Sequence, residues 1–255
     1  AYYKYRRKSI TTTDMTAEKI HQLGLDEVKR IRTEMEAIKD KDGFKGTLQE
    51  YFAQIRDSKD NEKYYYENTD EGRQGYIDDA TAAIENLKNE LSNYFGILPK
   101  ADLVVKRVEA FREQDGAPQH YYPGTPDGSR PGVYYAHLSD MKAMSKNEHE
   151  VIAYHEGLPG HHMQISIAQE LEGIPKFRTQ AHSTAYVEGW ALYTEALAKE
   201  MPNTYVTLGS DFGRLGSEIW RAIRLVVDTG MHHKKWSQQQ AVDFFSENSP
   251  APLES

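Results

Sequence analysis

The chain has 255 residues, enough for one large domain or two small ones, with 38% hydrophobic and 27% charged side chains, a balance ordinary for a globular protein. Its formal net charge of −8 leaves no basic excess to neutralise phosphates, which disfavours nucleic acid as a partner. There is no cysteine, so disulfides, thiolate ligands and a cysteine nucleophile are excluded, and any metal must be held by His, Asp or Glu.

No apolar run approaches the roughly 18 residues that cross a membrane as a helix, and no signal-peptide pattern is visible. The chain opens on Ala1 without Met and stops soon after a helix-like run, so both ends read as cut from a longer protein.

Residues 1–100 read as helical, and Lys4-Tyr5-Arg6-Arg7-Lys8 within them as a solvated basic face. Thr11 to Asp14 and Thr16 are capping residues ahead of Ala17. Leu25, Val28, Ile31, Met35 and Ile38 recur at helical spacing over 26–40, and Lys41-Asp42-Gly43 breaks that helix. Tyr51, Phe52 and Ile55 mark a shorter helix. Ile77, Ala80, Ile84, Leu87 and Leu91 form another stripe, ended by Gly96 and Pro99. Residues 103–111 alternate and are β-rich, 115–131 read as a loop, and 132–138 as a second strand. Helical patterning resumes near Glu148 and runs through a His-rich motif, with further helices over 184–200, 211–229 and 237–247.

Tyr154-His155-Glu156-Gly157-Leu158-Pro159-Gly160-His161-His162 carries the chemistry. Zinc hydrolases need imidazole and carboxylate ligands, an open position for water, and a carboxylate base. The familiar arrangement is His-Glu-x-x-His on one helix. Here Pro159 stands where the second histidine belongs. At about 100° per residue, a straight helix returns His162 to the face of His155. Pro159 cannot donate to the carbonyl of His155, however, and Gly160 follows it, so a bulge or kink is expected. Two residues absorbed there bring His161 round instead. His161 is favoured as second ligand, with His162 the alternative.

A third ligand is expected from Tyr186-Val187-Glu188-Gly189-Trp190-Ala191-Leu192-Tyr193-Thr194-Glu195. Glu188 sits among apolar and aromatic residues, where an unpaired carboxylate is costly. Glu195, seven residues on, shares its face and reads as a support for the ligands. Glu156, beside His155, is the candidate base. Tyr135 on the second strand, His162, and Arg224 and His232 on the 211–229 helix are candidates for substrate contact. For Arg224, the competing reading is an ion pair with Asp228. A di-iron bundle would want paired Glu-x-x-His motifs, and a serine hydrolase a Gly-x-Ser-x-Gly elbow. Neither is present.

The chain resembles the bacterial family known as domain of unknown function 885. The resemblance is carried by Thr11-Thr-Thr, Leu23-Gly24-Leu25, Gly128-Ser-Arg-Pro-Gly132, the His-rich motif, Tyr186-Val-Glu-Gly-Trp-Ala-Leu-Tyr193, Ser210-Asp-Phe-Gly-Arg-Leu215, Trp220-Arg221 and Asp228-Thr-Gly230. That family is similar to gluzincin peptidases such as thimet oligopeptidase, in which a Gly precedes the second ligand histidine, as Gly160 precedes His161. The resemblance implies an extracytoplasmic, lipoprotein-like protein longer than this chain, with a tyrosine-bearing part of the site beyond residue 255. The expectations are therefore as follows. The fold is mostly α, a zincin-like helical domain with a small antiparallel β-sheet beside the active-site helix. It forms one site-bearing domain over 1–255, helical over 1–100 and zincin-like over 101–255. Zn2+ is held by His155, His161 and Glu188, and a peptide substrate is cleaved with Glu156 as base. The alternative is a non-catalytic binding protein that keeps the fold.

Overall fold

The computed structural model describes residues 1–251. In chain order the elements are α1 (Tyr2–Thr11), α2 (Ala17–Lys41), α3 (Leu48–Asp57), α4 (Asp70–Tyr94), β1 (Leu103–Arg107), β2 (His120–Tyr122), β3 (Gly132–Ala136), α5 (His149–Glu156), α6 (His161–Glu170), α7 (Lys176–Gln180), α8 (Thr184–Ala198), α9 (Leu208–His232) and α10 (Gln238–Asn248). The fold is mostly helical, as its periodicities predict. No helix among the described residues is long and apolar enough to cross a membrane. The chain divides into two compact units, Ala1–Lys59 with Thr207–Ser255, and Asp60–Val206. Contacts between elements remote in sequence draw the division, and local periodicity does not report them.

The first unit is built on α2 and α9. Thr16 caps α2 by accepting from the Lys19 N–H at 3.2 Å, and Gly43, at φ +81°, follows its end in the left-handed conformation. Ile31 and Met35 are fully buried on α2, and Leu215 and Ile219 nearly so on α9. The two helices approach closely at Gly24, where a Cβ would lie 2.7 Å from Val226 Cγ2 and 2.9 Å from Leu225 Cβ. Near that contact His21 Nδ1 donates to Thr229 Oγ1 (2.8 Å), whose own hydrogen goes to the carbonyl of Leu225. Tyr51 and Phe52 of α3 pack on Phe212, and Arg32 holds α10 through the carbonyl of Glu247 at 2.8 Å.

The second unit packs α4 and a three-stranded sheet against α5, α6 and α8. Strand order is β1-β3-β2; β1 runs parallel to β3, with Leu103 opposite Gly132, and β2 antiparallel, with Tyr121 opposite Tyr134. The sheet is mixed, which corrects the antiparallel expectation. Alternation marks a strand but carries no direction, and the long connection from β1 to β3 allows a parallel crossover. That connection also contains β2, unexpected within the 115–131 loop. Tyr134 and Tyr76 meet through their hydroxyls at 2.7 Å, inside a cluster with Ala80, Ile84, Ala153, Leu158 and Met163.

Gly24→Ala tests the α2–α9 contact. Alanine in a helix gains about 1 kcal/mol of propensity, but overpacking costs about 1–3 kcal/mol. Two contacts under 3 Å make the clash the larger effect. The denaturation midpoint should fall, and an equal or higher midpoint would show that the helices separate freely.

Candidate metal centre

The expected distortion at Pro159-Gly160 is a complete break. α5 stops at Glu156, and Gly157 N–H closes its last turn on the carbonyl of Ala153 at 2.9 Å. The chain then folds back over the end of the helix, through a cis Leu158–Pro159 peptide. Gly160 N–H donates to the carbonyl of Tyr154 at 3.0 Å. A Cβ on Gly160 would lie 2.0 Å from the carbonyl oxygen of His155 and 2.3 Å from that of Tyr154, so no other residue fits without moving the backbone. α6 starts at once with His161 as its first residue. The rings of His155 and His161 consequently meet edge to face, 4.6 Å apart between centroids.

Helix α8 supplies the carboxylates. Glu188 directs Oε2 to His155 Nε2 (3.4 Å) and Oε1 to His161 Nε2 (3.6 Å). Two turns on, buried Glu195 takes His155 Nδ1 at 2.6 Å. Nδ1 therefore donates, and in the neutral ring the lone pair of His155 is on Nε2, facing Glu188. Burial opposes charging His155, but the carboxylates of Glu188 and Glu195 beside it prevail and raise its pKa to about 9. Glu156 is buried as well, and one of its oxygens lies within 4.8 Å of a nitrogen on each of His155 and His161. Trp190 ties α8 to the turn by donating from Nε1 to the carbonyl of Pro159 at 2.9 Å.

The donor set fits zinc. It is all imidazole and carboxylate, and the sequence holds no cysteine to compete. Ligand bonds of about 2.0–2.2 Å at tetrahedral angles put neighbouring donors roughly 3.3–3.6 Å apart. The separations of 3.4 and 3.6 Å are close to that, and longer than a direct ionic hydrogen bond. Both carboxylates stand near the imidazoles, Glu156 within 4.8 Å of a nitrogen on each ring and Glu188 with one oxygen turned to each Nε2.

Other candidates are placed differently. His162 is 1% exposed, and both its nitrogens are engaged: Nε2 donates to the carbonyl of Ala101 and Nδ1 accepts from the Tyr121 hydroxyl, each at 3.0 Å. Burial lowers its pKa to about 4, so it is a neutral residue sealed in the interior. Tyr135 alternates with buried Tyr134 and so stands on the opposite sheet face, stacked on His120 at 5.4 Å. Its strand is also central rather than an edge, with β1 and β2 on its two sides, so its backbone is not open to pair with an extended peptide. Arg224 and His232 belong to the first unit. Arg224 lies over the Trp220 ring at 4.6 Å, and Asp228 engages His232 at 3.8 Å and the Tyr3 hydroxyl at 2.7 Å. The burial argument for Glu188 also fails, because its side chain is 56% exposed. Its imidazole neighbours, invisible in the sequence, are what distinguish it. Tyr121 and the Trp190–Pro159 link were not anticipated; no periodicity marks either one.

A bacterial family of unknown function, DUF885, matches residues 1–255, and the chain belongs to it. Two solved structures, both described as "putative" lipoproteins, are similar to it. The one from Colwellia psychrerythraea has a TM-score of 0.92 at 36% identity, over 99% of this chain and 43% of that one. The one from Shewanella oneidensis, described as of unknown function, has a TM-score of 0.75 at 18% identity, over 99% of this chain and 47% of that one, and shows the fold alone. The chain thus spans less than half the length of these two proteins. No curated protein matches it.

Gly160→Ala should lower stability by at least about 2 kcal/mol, since the clash is with backbone carbonyls that have no rotamer to escape into. The urea midpoint reads this directly. A variant as stable as the parent would mean that the turn does not depend on the close approach.

Proposed function

We propose that this chain carries the metal centre of a zinc-dependent, gluzincin-like hydrolase that cleaves peptide (amide) bonds. The observation that carries the reading is the convergence of His155 Nε2 and His161 Nε2 on the two oxygens of Glu188, at 3.4 and 3.6 Å. In this reading His155, His161 and Glu188 hold Zn2+. The ion, when bound, lowers the pKa of water and polarises a carbonyl.

The chain's own residues do the rest. Glu156 takes a proton from the attacking water and passes it to the leaving amine, a task suited to a buried carboxylate beside the ligands. Glu195 fixes the tautomer and orientation of His155 through Nδ1. Exposure of Glu188 leaves one side of the centre open to substrate. The family similarity and the two lipoprotein descriptions support an extracytoplasmic location.

Elemental analysis of the intact protein should find about one zinc per chain, and a metal-free native protein would overturn the centre. His161→Ala should lose the metal, whereas His162→Gln should keep it. The opposite pattern would reassign the second ligand.

Glu156→Gln should retain zinc and reduce cleavage of a peptide library by about 10²–10⁴-fold. Chelator should abolish cleavage by the parent. Unchanged turnover in Glu156→Gln would remove the mechanism.

A further inference from the structure

Tyr205 follows α8 in the Asp60–Val206 unit and is buried. It joins α5, which carries His155, to α8, which carries Glu188 and Glu195. Its backbone N–H donates to Glu150 Oε1 on α5 at 2.5 Å, and the Tyr154 hydroxyl donates to the same oxygen at 2.7 Å. Its ring stands edge to face on that of Tyr154, 5.3 Å apart between centroids. Its hydroxyl donates to the backbone carbonyl of Glu195 at 3.0 Å.

Each contact answers a requirement of the buried chain. A helix leaves its last four carbonyls without intrahelical partners, and in α8, which ends at Ala198, the carbonyl of Glu195 is the first of these. A buried phenol needs an acceptor, and a carboxylate as buried as Glu150 is costly without donors. Tyr205 meets all three needs, and does so at φ +46°, a left-handed backbone that residues other than glycine rarely adopt. Such a conformation persists only where surrounding contacts impose it.

The contacts bear on the metal centre. The carboxylate of the same Glu195 takes His155 Nδ1 at 2.6 Å. Tyr205 grips the backbone of Glu195 on one side and, on the other, the side chain of Tyr154, the neighbour of His155. It thereby sets the span that the His155–Glu195 hydrogen bond has to cross.

We propose that Tyr205 is a positioning residue for the metal centre, bracing α8 against α5 so that Glu195 stays on His155 and the ring keeps its aim. This rests on the hydrolase reading above, which makes His155 a ligand. It assigns Tyr205 to metal affinity.

Tyr205→Phe in the intact protein tests this, because it removes the hydroxyl and keeps the ring and the N–H. Two quantities are read: zinc affinity, by competition with a chromophoric chelator, and the proton resonance of His155 Nδ1–H, with and without zinc. Affinity should fall about tenfold, the low end for residues that support a ligand from behind. The resonance should shift upfield or broaden as the bond to Glu195 loosens. Tyr66→Phe is the control for a merely structural role, since it deletes a 2.7 Å phenol hydrogen bond to Asp79 in the same unit. It should lower the urea midpoint and leave both readouts at parent values. Glu150→Leu, which releases the Tyr205 N–H, should reproduce both changes, and Glu150→Gln, which keeps an acceptor oxygen, should restore both. That pair carries the test should Tyr205→Phe fail to fold. Parent-like zinc affinity in Tyr205→Phe, or an equal loss in Tyr66→Phe, would overturn the proposal. A parent protein that binds no zinc removes the hydrolase reading, and the His155 resonance then decides the brace alone: displaced in Tyr205→Phe it stands, unmoved it falls.

Discussion

The backbone of Gly160 lies against the carbonyls of Tyr154 and His155, and the rest of the site depends on that contact. A helix leaves its last carbonyls without partners, and a side chain usually keeps a following strand of chain from covering them closely. Here the absent Cβ lets the chain fold directly over the helix end and donate an N–H into it. The next residue then begins a new helix within reach of the last turn of the old one. Two imidazoles that a continuous helix would separate meet face to edge. Trp190 fixes the same turn to α8, the helix that brings Glu188.

Adjacent residues of one type have opposite parts to play. His161 turns Nε2 toward a half-exposed carboxylate, whereas His162, on the next position of the same helix, is sealed between Ala101 and Tyr121. The approximately 100° step between neighbours on a helix separates them. Glu188 and Glu195 divide similarly along α8: they engage the two nitrogens of one ring, the first from solvent and the second from the interior. The buried partner settles the tautomer of the neutral ring, and the outer nitrogen faces the exposed one.

Helices such as α2, α3, α4 and α10 were legible because each carries an apolar stripe and an N-cap side chain; Thr16 and Gly43 bound α2 where their chemistry predicts. The mixed sheet and the short strand β2 were not, since three residues of alternation among glycines and prolines give no periodic signal and strand direction gives none at all. Tyr135, Arg224 and His232 were singled out by residue type and spacing, but each has partners from its own surroundings: a stacked imidazole, an indole face and an aspartate.

By itself the sequence determined that the protein is largely helical, that any metal it binds must be held by imidazole and carboxylate, and that the helical path through the His-rich motif is distorted at Pro159-Gly160. These are local facts, set by periodicity, by the absence of cysteine and by the missing N–H of proline. Tertiary structure alone decided that the failure is a fold-back, that His161 and Glu188 meet His155 while His162 does not, and that the strands beside them form a mixed sheet. Each of those depends on contacts between residues distant in the chain, such as Trp190 with Pro159 and Tyr121 with His162, which no pattern along the chain encodes.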